Sequence, residues 1–200
     1  MSYTDILRQA YQYWFGELSG PAQFPADKAE IWFKQSDATD THIREKFGSQ
    51  LKAVASADWP LSEMSRQERV GLVIFLDQFP RNIFRDSAEA FAYDPVARRI
   101  ATALSVNNFS EYFPVEQVFL LLPFEHSESI ADQERGVRLI TDLAAKMPPE
   151  NGFYSAALDA AIKHRDLILR FGRFPHRNVV LGRTSTPEEI AFAKEHGRGY

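Results

Sequence analysis

Two hundred residues, 44% apolar and 25% charged, fit one domain with a sizeable core, with two helical lobes as the alternative, and 16 Phe residues make the core rich in rings. The absence of Cys excludes disulfides, thiolate metal sites and a cysteine nucleophile, which fits a reducing, cytoplasmic setting. A net charge of −4 argues against wholesale nucleic-acid binding, because duplex affinity rests on cationic neutralisation of phosphates.

Asp5, Arg8 and Glu17 interrupt any secretory apolar stretch, so the N-terminal segment reads as an amphipathic helix with Ile6, Ala10, Tyr13 and Trp14 at helical spacing after Thr4. Gly20, Pro21 and Pro25 punctuate a loop, and Ala29 to Lys34 forms a short helix carrying Trp32 and Phe33. Thr39-Asp40 opens a helix whose apolar face holds Ile43, Phe47, Leu51 and Val54. Ser65-Arg66-Gln67-Glu68 is a capping box, and the helix it starts runs to Phe79, where Pro80 is expected to stop it. Asp94-Pro95 starts a helix to about Val106, with Asp as N-cap and Pro at the first helical position. Pro114 opens another, expected to end near Leu122 because Pro123 disfavours helical geometry in the residue before it.

Ser129 to Asp132 resembles a capping box with Asp in place of Glu, and the helix it opens ends at Pro148-Pro149. From Ser155 the spacing of Leu158, Ala161, Ile162, Arg165 and Leu169 supports a long helix toward Phe174, Val179 to Leu181 reads as an extended linker, and Thr186-Pro187-Glu188-Glu189 caps a last short helix. About eight helices and no strand predict an all-α fold of antiparallel helix pairs, one domain over residues 1–200. The longest apolar runs, Gly71 to Leu76 and Val118 to Phe124, fall far short of the roughly 20 residues that cross a bilayer, so a soluble protein with no membrane partner is expected.

One polar phrase occurs twice, as Asp77-Gln78-Phe79-Pro80-Arg81-Asn82 and as Arg173-Phe174-Pro175-His176-Arg177-Asn178. Each follows an apolar helical run, and a helix stopped by Pro leaves Arg and Asn beside carbonyls that have no partner. The segment around Glu125, His126, Glu128 and Asp132 is acidic, whereas the stretch from Lys163 to Arg183 is basic. One reading of this complementarity is a structural ion-pair network. The other is an anion pocket in which Arg81, Arg173 and Arg177 receive a phosphate or carboxylate, Asn82 and Asn178 orient it, and the acids hold the arginines. The candidate ligand-binding set is therefore Asp77, Arg81, Asn82, Glu125, His126, Glu128, Asp132, Arg173, His176, Arg177 and Asn178, with a small anionic metabolite as partner.

Acid–base work by Asp77, Glu125 or His126 is open to this set, but no reaction is specified. No His has Glu three positions before it, and there is no His-Glu-x-x-His, Walker loop, dinucleotide fingerprint or Gly-x-Ser-x-Gly, so neither a metal nor a cofactor is expected. The alternative function is a helical interaction module that takes a peptide or partner helix in a concave groove. Local RNA binding by the basic stretch ranks below it, because Phe171 and Phe174 fall where a core is expected.

Taken together, Leu76 to Asn82, Leu122 to Glu128, Ala131-Asp132-Gln133, Phe171 to Asn178 and Leu181-Gly182-Arg183 resemble the domain-of-unknown-function family numbered 924. The resemblance extends from Tyr13-Trp14-Phe15 through Thr184 to Glu189. It implies a helical fold similar to tetratricopeptide-like arrays and carries no established activity. No regular repeat of about 34 residues is present, so the similarity concerns shape.

Overall fold

The structure, a computed structural model, describes residues 3–106 and 109–196, and all regular structure among them is helical, with no strand. The chain forms two compact units, Met1–Arg85 with Glu89–Leu120, and Asp86–Ala88 with Leu121–Tyr200. No helix among the described residues is long and apolar enough to cross a membrane.

The first unit holds α1 (Tyr3–Phe15), α2 (Ala29–Phe33), α3 (Asp37–Phe47), α4 (Leu51–Ser56), α5 (Arg66–Val73), α6 (Phe79–Ile83), α7 (Asp94–Val106) and most of α8 (Pro114–Glu125). Ser36, not Thr39, caps α3 by accepting the Thr39 N–H at 3.3 Å, which places Asp40 in the first turn with its carboxylate buried. A short 3-10 turn, Gly48–Gln50, joins α3 to α4 and keeps Ile43, Phe47, Leu51 and Val54 on one buried face. The Ser65/Glu68 capping box forms in both directions, with Glu68 accepting the Ser65 N–H at 2.6 Å. Helices pair α1 with α5 and α3 with α6 around stacked and edge-on rings of Trp14, Phe15, Phe47, Phe75, Phe79 and Phe119. Buried Glu116 of α8 ties three helices together, accepting from Tyr11 of α1 at 2.5 Å and pairing with Arg66 of α5.

Neither internal proline stops its helix. Between α5 and α6 the chain makes a π-helical turn, Ile74–Gln78, in which the Phe79 N–H reaches back to the Ile74 carbonyl. Pro80 follows this change of register directly, so its missing N–H falls where the hydrogen-bond ladder is already shifted and the helix continues to Ile83. Pro123 likewise lies inside α8, which reaches Glu125, and the His126 N–H still finds the Leu122 carbonyl at 2.8 Å.

In the second unit α9 (Ile130–Ala144) and α10 (Gly152–Phe171) form a helical hairpin through residues 145–151, and α11 (Pro187–His196) follows. Asn151, rather than a residue near Ser155, caps α10. Gly172 ends it in the left-handed conformation at φ +70°, which a residue without Cβ adopts freely. The second copy of the repeated phrase thus follows a true helix end, with Pro175 opening a 3-10 turn, Pro175–Arg177. Residues 179–181 continue in turns, the Leu181 N–H bonding the Arg177 carbonyl at 3.0 Å, and not in an extended linker. Ser129 makes no side-chain cap; Asp132 instead accepts the Ser127 hydroxyl at 2.7 Å. Thr186 and Glu189 do cap α11 reciprocally, at 3.2 and 2.7 Å. Leu167, Ile168, Phe174 and Phe192 form one core cluster here, and Phe124, Ile140, Leu143, Tyr154 and Ala161 are also buried.

Candidate functional site

Because the helix continues through Pro80, half-buried Gln78, Arg81 and Asn82 form a polar face that Arg85 extends from the turn after Ile83, while Phe75, Phe79 and Ile83 are buried. That polar face forms one wall of a cleft of about 340 Å³ within the first unit. The rest of the lining comes from residues 31–35 at the end of α2 and just after it, including Trp32, Phe33 and Lys34, and from Trp14 of α1.

The cations of this wall are held from behind. Arg81 donates to both oxygens of Asp94, at 2.8 and 3.0 Å, and to the Asp77 carbonyl at 2.6 Å. Burial alone would lower its pKa, but the charges of Asp77 and Asp94 prevail and raise it, so it stays cationic. Asp77 is fully buried, accepts the Gln78 amide at 2.5 Å and lies 3.6 Å from Arg81. Arg85 engages Asp40 through Nε at 2.7 Å and Nη2 at 2.8 Å, and Asn82 adds a bond at 2.9 Å. Burial pushes the Asp40 pKa up, yet the bonds from Arg85 and Asn82 outweigh it and hold the carboxyl below its ordinary range. The cleft lining therefore presents Lys34, Arg81, Arg85 and the amides of Gln35, Gln78 and Asn82, and among the described residues it contains no carboxylate.

The structure brings Arg81 and Asn82 together on this cleft, with Asp77 behind them. The other candidates, Glu125, His126, Glu128, Asp132, Arg173, His176, Arg177 and Asn178, belong to the second unit, where several are held by residues outside the candidate set. Glu128 accepts the Phe174 N–H at 2.8 Å and takes Arg183 at 2.7 and 3.0 Å. Asn178, fully buried, accepts from Arg183 at 2.9 Å and donates to Ser185 at 3.1 Å. Arg173 clasps Glu189 at 2.7 and 2.8 Å, which holds the Glu189 carboxyl down at about 2. Arg177 is buried with its guanidinium 4.5 Å from the Phe174 ring centre.

Glu125 lies 3.1 Å from His164, whose Nδ1 also meets the Ala160 carbonyl at 2.9 Å. Burial, together with His126, His176 and Arg177, pushes the His164 pKa down to about 4. Burial and Arg177 do the same for His176, also to about 4. Among the described residues no group of three His, Asp or Glu is placed to hold a metal ion.

Asp40, Lys34, Arg85, Asp94 and Glu189 are partners that the sequence did not single out, whereas the Glu128–Arg183 pair joins the acidic segment to the basic stretch as their complementary charges suggest. Arg85 carried a signal in its i, i+4 spacing from Arg81, although the helix ends at Ile83 and Arg85 lies in the turn beyond it. Asp40 and Asp94 carried none, since each meets its arginine across a long stretch of chain.

The model of the family described as bacterial protein of unknown function (DUF924) matches residues 10–197. Among solved structures, the protein of unknown function ATU0120 from Agrobacterium tumefaciens is similar, with 32% sequence identity and a TM-score of 0.78 over 97% of this chain and 99% of its own. No curated protein matches the chain.

Proposed function

The chain belongs to the DUF924 family of bacterial proteins, and we propose that it binds a small oxyanion, a carboxylate or phosphate, in the cleft formed by the Gln78 to Arg85 face and residues 31–35. The observation that carries this reading is the lining itself: three cations and three amides without one acid among the described residues. Asp94 and Asp40 hold the two guanidiniums in place through bidentate bonds, so a ligand meets donors whose conformational freedom is already spent. The volume of about 340 Å³ lies near the lower end of the range of small-molecule clefts, about 300–1,000 Å³.

The test is calorimetric titration of the purified protein with inorganic phosphate and with acetate, beside the Lys34→Ala variant. The Lys34 side chain is 71% exposed and lies 3.7 Å from the exposed Glu30 carboxylate, a pair worth little to stability, so its removal is expected to leave the fold intact. Several-fold weaker binding in the variant, and weaker binding as salt rises, is expected. Heat that is unchanged in the variant, or no heat with either anion, sinks the reading.

The candidates of the second unit support a structural reading better. Glu128 joins Arg183 to the backbone on both sides of Phe174, and Glu189 joins Arg173 to the start of α11. Bidentate pairs of this kind lock loops into one conformation.

A further inference from the structure

The molecule has three tryptophans, and their indole N–H groups differ. Trp32 donates to the Trp14 carbonyl and Trp59 to the Val54 carbonyl, each at 2.9 Å. Trp14 is 1% exposed, and its own Nε1–H meets no acceptor among the described residues. A buried donor left unpaired costs about as much as a lost hydrogen bond, and such groups are rare in folded proteins. Trp14 is also one of the residues lining the cleft.

Beside it the cleft has an aromatic wall. Trp32 stands edge-on to Phe119 with ring centres 4.8 Å apart, and edge-on to Phe33 at 6.0 Å. Phe33 is 69% exposed, an apolar ring left in solvent at the cleft. Cationic and amide donors, exposed ring surface on residues 31–35 and one unsatisfied buried N–H describe a ligand with matching parts.

We propose that the ligand carries its oxyanion on a flat aromatic ring that packs against Trp32 and Phe33, and that Trp14 donates its indole N–H to an acceptor oxygen of that ligand. This rests on the oxyanion reading of the same cleft. Stacked and edge-on ring pairs favour an aromatic body over none, and the cleft volume fits one or two rings. The arginine forks accept a carboxylate or a phosphate alike. Trp14 is then a ligand-binding residue that selects for an acceptor, because a ligand lacking one leaves the indole donor unpaired.

The experiment is a ¹H–¹⁵N NMR titration of the full chain with benzoate, acetate, phenyl phosphate and inorganic phosphate. Single Trp32→Phe and Trp59→Phe variants assign those two indole resonances, so the Trp14 resonance is identified without altering Trp14. Binding at least tenfold tighter for each ring-bearing probe than for its ringless counterpart, with a downfield shift of the Trp14 indole proton and a stationary Trp59 signal, is the expected result. Comparison of benzoate with phenyl phosphate then tells carboxylate from phosphate. If the ringless anions bind as tightly, or the Trp14 resonance stays in place while anions bind, the aromatic-ligand proposal is overturned and the oxyanion cleft stands. If none of the four probes binds, both fall together.

Discussion

A Cβ placed on Gly71 of α5 would lie 2.1 Å from the carbonyl oxygen of Leu7 on α1 and 2.9 Å from its carbonyl carbon. Both atoms are backbone, so no side-chain rotation relieves the clash, and the two helices can approach this closely only with glycine at that point. Gly71→Ala must push α1 away from α5 and disturb the Tyr11–Glu116–Arg66 bonds beside it. A loss of about 3 kcal/mol is expected, at the upper end of ordinary overpacking. For a chain of this size that lowers the thermal midpoint by about 6–12 °C, and scanning calorimetry checks it. An unchanged midpoint would mean that α1 and α5 do not meet at Gly71.

Asp40 is the anchor of the cleft's cationic wall. Replacing it with Ala leaves Arg85 and Asn82 without their acceptor, at an expected cost of about 1–3 kcal/mol because Arg85 retains access to water. Phosphate affinity falls as well, since the guanidinium is no longer held in place. Urea unfolding and calorimetric titration of the same variant measure the two effects. Tighter phosphate binding in Asp40→Ala would show that the carboxylate competes with the ligand and does not position its partner.

Glu128 closes the loops of the second unit by taking Arg183 and the Phe174 N–H together. Glu128→Ala is expected to destabilise by about 1–3 kcal/mol, because Arg183 loses its carboxylate and keeps only neutral acceptors, Asn178 and the Phe174 carbonyl, among the described residues, and the Phe174 N–H loses its acceptor. Amide exchange at Phe174 should speed up more than at Leu167 or Ile168 of α10. Uniform exchange throughout that unit would argue against a local lock.

The pH dependence follows from His164 and His176, both pushed down to about 4 from an ordinary 6.5. Unfolding restores the ordinary value, so between these limits the unfolded chain binds more protons and stability falls as pH falls. Above about pH 6.5 both states are neutral at these residues and the contribution is flat. Facing His164 are the Glu125 carboxylate, the Ala160 carbonyl, His126, His176 and Arg177; the positive groups and burial prevail. The side chain of His164 is 16% exposed, and about 3 kcal/mol of stability should be lost by pH 4 on its account. Denaturant unfolding at pH 7.5, 6 and 5 should show this slope, and His164→Asn should make it shallower, leaving the part due to His176. An equally steep slope in the variant would assign the proton uptake elsewhere.

Local chemistry explains which of these features are legible in the order of residues. Ser65 and Glu68 cap α5 because their side chains reach backbone donors within one turn, and Ile43, Phe47, Leu51 and Val54 share a face because helical spacing dictates it. Arg81 and Asn82 stay together because the helix survives Pro80, and Arg85 joins them on the cleft from the turn after Ile83. The two copies of the repeated phrase, however, read alike and fold differently. One continues a helix through a π turn, and the other follows the left-handed Gly172.

The sequence by itself determined an all-helical chain, most of its helix starts and the residues able to carry charge, since these depend on contacts within a few residues. Only the tertiary structure decided that Asp94 and Asp40 would hold the arginines, that residues 31–35 would face them, and that the Trp14 indole would be buried without an acceptor among the described residues. The physical reason is distance along the chain. Periodicity and capping are settled inside one turn of helix, whereas a carboxylate's choice among several arginines is settled by how whole helices pack, and residue order carries no measure of that.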